Sequence, residues 1–325
     1  MAARSGDGSQ AAGPGEELNA VRFDTSVAHP ARIWDYWLGG KDNYAADRAA
    51  GDHVLEAAPM VRQVALADRA FLASVVRHLA AGQGIRQFLD IGTGLPTADN
   101  THQVAQQAAP ESRVMYVDND PIVLAHARAL LTSSPQGATG YIEADARDTG
   151  TILTAAAQTL DFSQPVAVML LGILLFIPDE DDPWSITARL MDAVPPGSYL
   201  AISHGASDIQ ELGTANSRYN ERSAVTMRLR TRQEFTRFFD GLDLAGPGVV
   251  PVNHWQPGPA PGTPQEPPLP CYAALGRKPA RPSQDVFAEV STAGPLRGGT
   301  RWTQAVGSHP PRPRPQLPAA RSGGW

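Results

Sequence analysis

The sequence predicts an α/β protein: a seven-stranded, mostly parallel sheet with an antiparallel terminal hairpin and an N-terminal helical cap. Three observations lead there. From residue 87 onward, five short apolar runs (QFLDIG, RVMYVD, GYIEAD, VAVMLL and SYLAIS) alternate with helix-like stretches. Strands alternating with helices make βαβ units, whose parallel sheet is covered on both faces. Two more strand-like runs, GVVPVNHW and CYAALGR, close the pattern across a proline-rich excursion. Ahead of all seven, Ala28 to Ala81 carries helical periodicity.

The elements follow in order. Pro30 can open a helix at its first turn, and Trp34, Trp37 and Leu38 then fall at helical spacing until Gly39-Gly40 stops the pattern. A second helix starts after Asn43. A third spans Val61–Leu79, with Val61, Val64, Ala65, Leu72, Val75, Val76 and Leu79 on one face. Helices over Asn100–Ala109, Ile122–Leu131, Thr149–Thr159 and Trp184–Ala193 separate the strands. A long helical stretch is expected from Ala206 to Phe239.

Both ends differ from this centre. Residues 1–18 are Gly, Ala, Ser and acid without periodicity, and are expected to be disordered. Seventeen of the 29 prolines lie from Pro247 onward, and the tail after Lys278 has six arginines against Asp285 and Glu289. Proline at that density disfavours a packed core. The tail reads as solvated, with PPRPRP suited to an aromatic groove or an anionic partner. The expected divisions are therefore 1–18, a cap over 19–82, the sheet domain over 83–278, and the Pro/Arg-rich tail over 279–325.

Composition excludes several classes. The net charge of −6 argues against a nucleic-acid footprint. A single cysteine, Cys271, excludes a disulfide framework and a Cys-rich zinc site. The N-terminus has no apolar signal segment, and the longest apolar run, Val166 to Ile177, is too short to span a bilayer. A cytoplasmic protein without a membrane partner is expected. No histidine shows metal-ligand spacing, so no metal is expected. The run Asp179–Asp182 reads as a solvated loop and helix start.

The chemistry concentrates at three strand ends. The first reads Phe88-Leu89-Asp90-Ile91-Gly92-Thr93-Gly94-Leu95-Pro96-Thr97. Glycine permits a tight turn and a close ligand approach, and the next helix points its N–H groups at the site. A dinucleotide fingerprint needs a third glycine where Thr97 stands. Asp90 would repel a pyrophosphate but can receive an ammonium group. At the second strand end, Asp118 lies 24 residues after Gly94, where an acid accepts from both ribose hydroxyls. Asp120 reads as a helix cap. At the third, Asp145 in EADARD can accept from an adenine amino group. Together they suit an adenosine carrying an amino acid.

LDIGTG, YVDND and EADARD resemble motifs I, II and III of the class I S-adenosylmethionine-dependent methyltransferases, which have a Rossmann-like fold. HPARIWDYWLGGKDNYAADR, joined to LDIGTGLPT and VDNDPIVLAHARALL, resembles the bacterial DUF574 or S-adenosyl methyltransferase family over residues 20–278. The resemblance implies S-adenosyl-L-methionine as cofactor. It puts Asp90, Gly92 and Gly94 at the methionine end, Asp118 on the ribose and Asp145 near adenine, with Thr93, Asn119, Ala146 and Leu171 also expected to touch the cofactor.

The fourth strand exit, Leu170 to Pro178, is apolar, with Phe176 and Ile177 where a histidine often stands. Transfer to a nucleophilic atom needs mainly alignment and desolvation. His204, just past the fifth strand, is the candidate base. Trp34, Lys41, Asn43 and Tyr44 read as a lid with Phe176 at the substrate, and Asn216, Arg218, Tyr219 and Asn220 as the opposite wall. Arg222, Arg228, Arg230 and Arg232 either face solvent or attract an anionic acceptor. The expected activity is methyl transfer, with O-methylation favoured, to a small-molecule acceptor. A regulatory protein that binds the cofactor without turnover is the alternative, and a nicotinamide-dependent oxidoreductase a more distant one.

Overall fold

A computed structural model describes residues 24–130, 132–209, 212–223, 225–258 and 266–280. The disorder expected of residues 1–18 and of the tail from 281 lies outside the described residues. Pro30 occupies the first turn of α1 (Pro30–Trp37), after which Gly39 turns the chain at φ +80°. Helix α2 (Ala45–Ala57) follows, then α3 (Val61–Arg77), which runs into a π-type turn at His78–Gly82. The apolar stripe of α3 is buried from Val64 to Val76, and Phe71 and Asp68 are buried with it.

The sheet then forms from β1 (Gln87–Ile91), β2 (Arg113–Asp118), β3 (Ala138–Glu143), β4 (Ala167–Leu171), β5 (Tyr199–Gly205), β6 (Asp243–Pro251) and β7 (Cys271–Arg277). Its spatial order is β3-β2-β1-β4-β5-β7-β6. The first five strands run parallel, and β7 lies antiparallel to both β5 and β6. Successive side chains point to opposite faces, so a strand covered on both sides is apolar throughout. Leu89, Val117, Val168, Leu170 and Leu200 join one core with α6 (Thr149–Ala156) and α7 (Pro183–Asp192). Phe88, Val114, Tyr116, Met169 and Ala201 join the other with α3 and α4 (Thr101–Ala108). Helix α5 (Pro121–Leu130) contacts β2 and β3.

Three expectations need correction. β3 begins at Ala138, two residues before the glycine of GYIEAD. β6 begins at Asp243, and Val252–His254 forms a 3-10 turn instead of extending the strand. A bulge between Ala245 and Val250 absorbs Pro247, with Gly246 and Gly248 at positive φ. The long helical stretch from Ala206 to Phe239 is broken into α8 (Gly213–Arg222), an extended segment and α9 (Arg232–Thr236). The Asn220 side chain causes the break: it donates to Met227 O at 3.1 Å and accepts from Met227 N–H at 2.6 Å. An amide can satisfy the backbone this way in place of the next helical turn. Ala206 then bridges Arg230 in parallel fashion.

In an open sheet of this kind, ligands bind beyond the carboxyl ends of the strands, where the strand order reverses. Here that point lies between β1 and β4. Among the described residues, no helix is long and apolar enough to cross a membrane.

Candidate active site

The β1 exit forms a turn that only glycine can make. Gly92 sits at φ +75°, and a Cβ on it would stand 2.6 Å from Ile173 Cβ. Gly92 and Thr93 donate their N–H groups to Val117 O at 2.8 and 3.3 Å, joining the turn to the end of β2. Gly94, at φ +68°, donates its N–H to Asp118 Oδ2 at 2.9 Å. Asp120 N–H donates to Asp118 Oδ1 at 2.9 Å. Two backbone donors thus fix the Asp118 carboxylate, each leaving lone pairs for a ligand. Burial pushes its pKa up to about 6. Asp120 caps α5 by accepting from Ile122 N–H at 2.9 Å.

Two more acids are buried at this end of the sheet. Asp90 Oδ2 accepts from the Thr101 hydroxyl at 2.6 Å. Asp68 reaches the same region from α3, and its Oδ1 has no hydrogen-bond partner. The Ser203 hydroxyl is near enough to lower the Asp68 pKa somewhat, yet neither atom makes an aligned hydrogen bond. Burial dominates both acids and pushes each to about 6. Unpaired buried carboxylates carry a desolvation cost that a cation relieves.

At the β3 exit, Asp145 is taken by Arg147, which donates from Nε at 2.8 Å and Nη2 at 2.6 Å. The Arg147 hydrogen bonds come first among the causes that hold this carboxyl below its usual range. Arg147 Nη1 also donates to Asp181 Oδ2 at 2.8 Å.

A cleft joins these ends. Asp68, Asp90, Gly92, Thr93, Gly94, Asp118, Asn119, Asp145, Ala146 and Leu171 all line it, with Gly172 and Ile173 at the β4 exit. Helix α1 contributes Trp34, Asp35 and Leu38, and Phe176, Ile177, Leu72 and Val225 supply further apolar wall.

The other lid residues lie outside the cleft. Lys41 is exposed, and Tyr44 precedes α2 with Arg32 5.5 Å from its ring centroid. Asn43 acts at one remove: its Nδ2 donates to Asp35 Oδ2 at 2.8 Å, beside the Asp42 N–H at 3.0 Å. Asp35, which does line the cleft, is the post to which the loop is tied.

His204 is not at the cleft and cannot serve as its base. It is fully buried, with Nδ1 2.8 Å from Gly205 O and Nε2 2.8 Å from Arg230 Nη1. The guanidinium is a pure donor, so Nε2 accepts and Nδ1 carries the proton. Burial, reinforced by Arg230, depresses its pKa to about 3. Arg230 is itself fully buried, donating to Asp179 Oδ1 at 2.7 Å and to the Leu174 and Ile177 carbonyls, so it neither faces solvent nor meets an acceptor. The expected opposite wall is also displaced. Tyr219 is buried in the α1–α2–α8 core, Asn220 holds Met227, and Arg218 donates to His53 O at 3.1 Å.

The sequence reading missed Asp68 and His29. Asp68 carried a legible signal, a lone acid amid the apolar stripe of α3. His29 lines the cleft with Nδ1 3.1 Å from Asp120 Oδ2, a close but misaligned contact without hydrogen-bond geometry.

These features fit S-adenosylmethionine. Asp118 can take ribose hydroxyls, the buried acids suit an ammonium group and repel a pyrophosphate, and the Gly92 turn admits a ligand against the backbone. The sequence profile of the S-adenosyl methyltransferase family matches residues 16–279. A solved DUF574 family protein from Streptomyces avermitilis MA-4680 is 48% identical, with 79% of this chain and 100% of that one covered and a TM-score of 0.74. A candidate methyltransferase from Thermobifida fusca YX is 38% identical over 79% and 97% of the two chains, with a TM-score of 0.72. No curated protein matches the chain. With this sheet, this cleft and a profile match over most of its length, the chain belongs to the S-adenosyl methyltransferase family and is an S-adenosylmethionine-dependent methyltransferase.

Proposed function

We propose that the acceptor is a small molecule, that oxygen is the favoured nucleophile, and that the chain acts by aligning and desolvating it beneath α1. The observation that carries this reading is that the apolar and aromatic side chains of Trp34, Leu38, Leu72, Phe176 and Val225 line one cleft together with the acids of the strand ends. When bound, S-adenosylmethionine supplies a methyl group on a positively charged sulfur that is a good leaving group.

The residues divide the work. Asp118, with Asn119, holds the ribose, and its fixed orientation means little rearrangement on binding. Asp145 and Ala146 border the adenine. Gly92, Thr93, Gly94 and Leu171 line the path of the methionine arm. Trp34 and Phe176 exclude water around the nucleophile and orient it, as alignment-driven transfer requires. Asn43 supports Trp34 through its neighbour Asp35, while Lys41 and Tyr44 border the loop that follows.

Turnover tests the reading. The protein is incubated with S-adenosylmethionine and a panel of small phenols, alcohols, carboxylic acids, thiols and amines, and S-adenosylhomocysteine is measured. Transfer to an oxygen acceptor is expected. Trp34→Ala should abolish most of it while leaving the dissociation constant for S-adenosylhomocysteine within about threefold, less than 1 kcal/mol. Transfer confined to amines, or loss of cofactor affinity in the Trp34 variant, would contradict it.

A further inference from the structure

We infer that Asp68, on the cap helix α3, is the residue that binds the ammonium group of the cofactor's amino-acid arm. The inference rests on the cofactor reading above and adds a residue from outside the three strand-end motifs.

Among the acids lining the cleft, most are already engaged. Asp118 accepts two backbone N–H groups, Asp145 is held by Arg147, and Asp35 accepts from Asn43 and Asp42. Asp90 has given one oxygen to Thr101. Asp68 alone among these acids has a buried oxygen without an aligned hydrogen bond, with only the Ser203 hydroxyl nearby, and the residue is only 5% exposed. It stands at the β4 exit: a Cβ placed on Gly172 would be 3.8 Å from Asp68 Oδ2. Asp90 on β1 and Met169 on β4 are register partners, so the two acids flank the point where the strand order reverses.

They also repel each other, since the Asp68 charge raises the Asp90 pKa. Arg69 is the nearby cation, and its Nη2 is directed to the Ala98 and Asp99 carbonyls at 2.9 and 3.2 Å. Two buried, mutually repelling carboxylates make a site for a compact cation with several donors. A primary ammonium has three N–H groups, enough for both acids and a strand-end carbonyl. Because Asp68 belongs to the cap and Asp90 to the sheet, one ammonium joins the two layers.

The test uses the full chain, its Asp68→Asn variant, and two probes: S-adenosylhomocysteine and its deaminated analogue, in which hydrogen replaces the amino group. Calorimetry reads each dissociation constant. Wild type should bind S-adenosylhomocysteine at least tenfold more tightly than the deaminated analogue, and Asp68→Asn should cut that ratio at least about threefold, Asp90 keeping the remainder, while binding the analogue as wild type does. A ratio unchanged in the variant overturns the inference, as does equal loss of affinity for both probes, which marks a structural role. Should Asp68→Asn fail to fold, Asp68→Ser takes its place. A wild-type ratio near one overturns the inference with no variant needed. Wild type that binds neither probe overturns the cofactor reading, a different result from the others.

Discussion

Gly92→Ala and Gly94→Ala test the architecture of the strand turn because the two glycines share a backbone conformation and differ in surroundings. Both sit in the left-handed region, at φ +75° and +68°. A Cβ there costs roughly 1–2 kcal/mol in either position. At Gly92 it would also fall 2.6 Å from Ile173 Cβ and Cγ1, whereas at Gly94 it meets no atom within 4 Å. Overpacking of that kind adds about 1–3 kcal/mol. Gly92→Ala is thus expected to lose about 2–5 kcal/mol and Gly94→Ala about 1–2 kcal/mol. With ~2–4 °C per kcal/mol for a domain of this size, the first should melt several degrees below the second. Ligand binding should rank them differently: both line the cleft, but a Cβ on Gly92 runs into Ile173 while one on Gly94 enters open ligand space, so Gly94→Ala weakens S-adenosylhomocysteine at least tenfold while the fold holds. Differential scanning calorimetry and titration read the two effects. Equal melting temperatures would refute the packing argument at Ile173, and an unchanged affinity in Gly94→Ala would refute the placement of the cofactor along this turn.

His204→Ala should behave as a core lesion. It removes the acceptor for Arg230, costs about 1–3 kcal/mol for the lost partner, and leaves S-adenosylhomocysteine affinity within about twofold; a large change in affinity with intact stability would return His204 to the site. Ligand-free stability should also depend on pH. Asp68, Asp90 and Asp118 have pKa values raised from 3.8 to about 6. A raised carboxyl pKa means the folded state binds the proton more tightly. Its contribution is complete below about pH 4 and is lost as pH rises through about 6. Asp68→Asn should therefore stabilise the ligand-free protein near pH 7.5 and lose that advantage near pH 4. Denaturant titration at both values checks this, and a variant that is less stable at both contradicts the electrostatic reading. Asn43→Ala should remove one of the loop's two ties to Asp35, leaving the Asp42 N–H, and speed hydrogen exchange at Lys41–Tyr44, while protection in β1 stays unchanged.

Much of the sheet was legible because its signals are local. CYAALGR is β7 over the same seven residues, and each of the first five apolar runs overlaps a strand. The glycines and acids of the strand ends also lay where an ordered parallel sheet must place a ligand. What escaped depends on distant partners. His204 looked like a free base because its neighbour in space, Arg230, is 26 residues away and reaches it only after the helical stretch breaks. That break is set by Asn220 bonding a backbone seven residues on, which no periodicity records. Lys41, Asn43 and Tyr44 shared a polar loop with no sign of which side chain would turn inward. Asp68 was visible as one acid in an apolar stripe, but its meaning required the β4 exit opposite it.

Calorimetric titration of the wild-type chain and Asp118→Ala with S-adenosylmethionine and S-adenosylhomocysteine comes first. The strand-end site predicts micromolar binding of both by wild type. Losing the ribose acid removes charged hydrogen bonds worth about 1.5–3 kcal/mol each, so Asp118→Ala should bind at least tenfold more weakly. A folded wild-type chain that binds neither compound, or a variant that binds as tightly as wild type, would contradict the site described here.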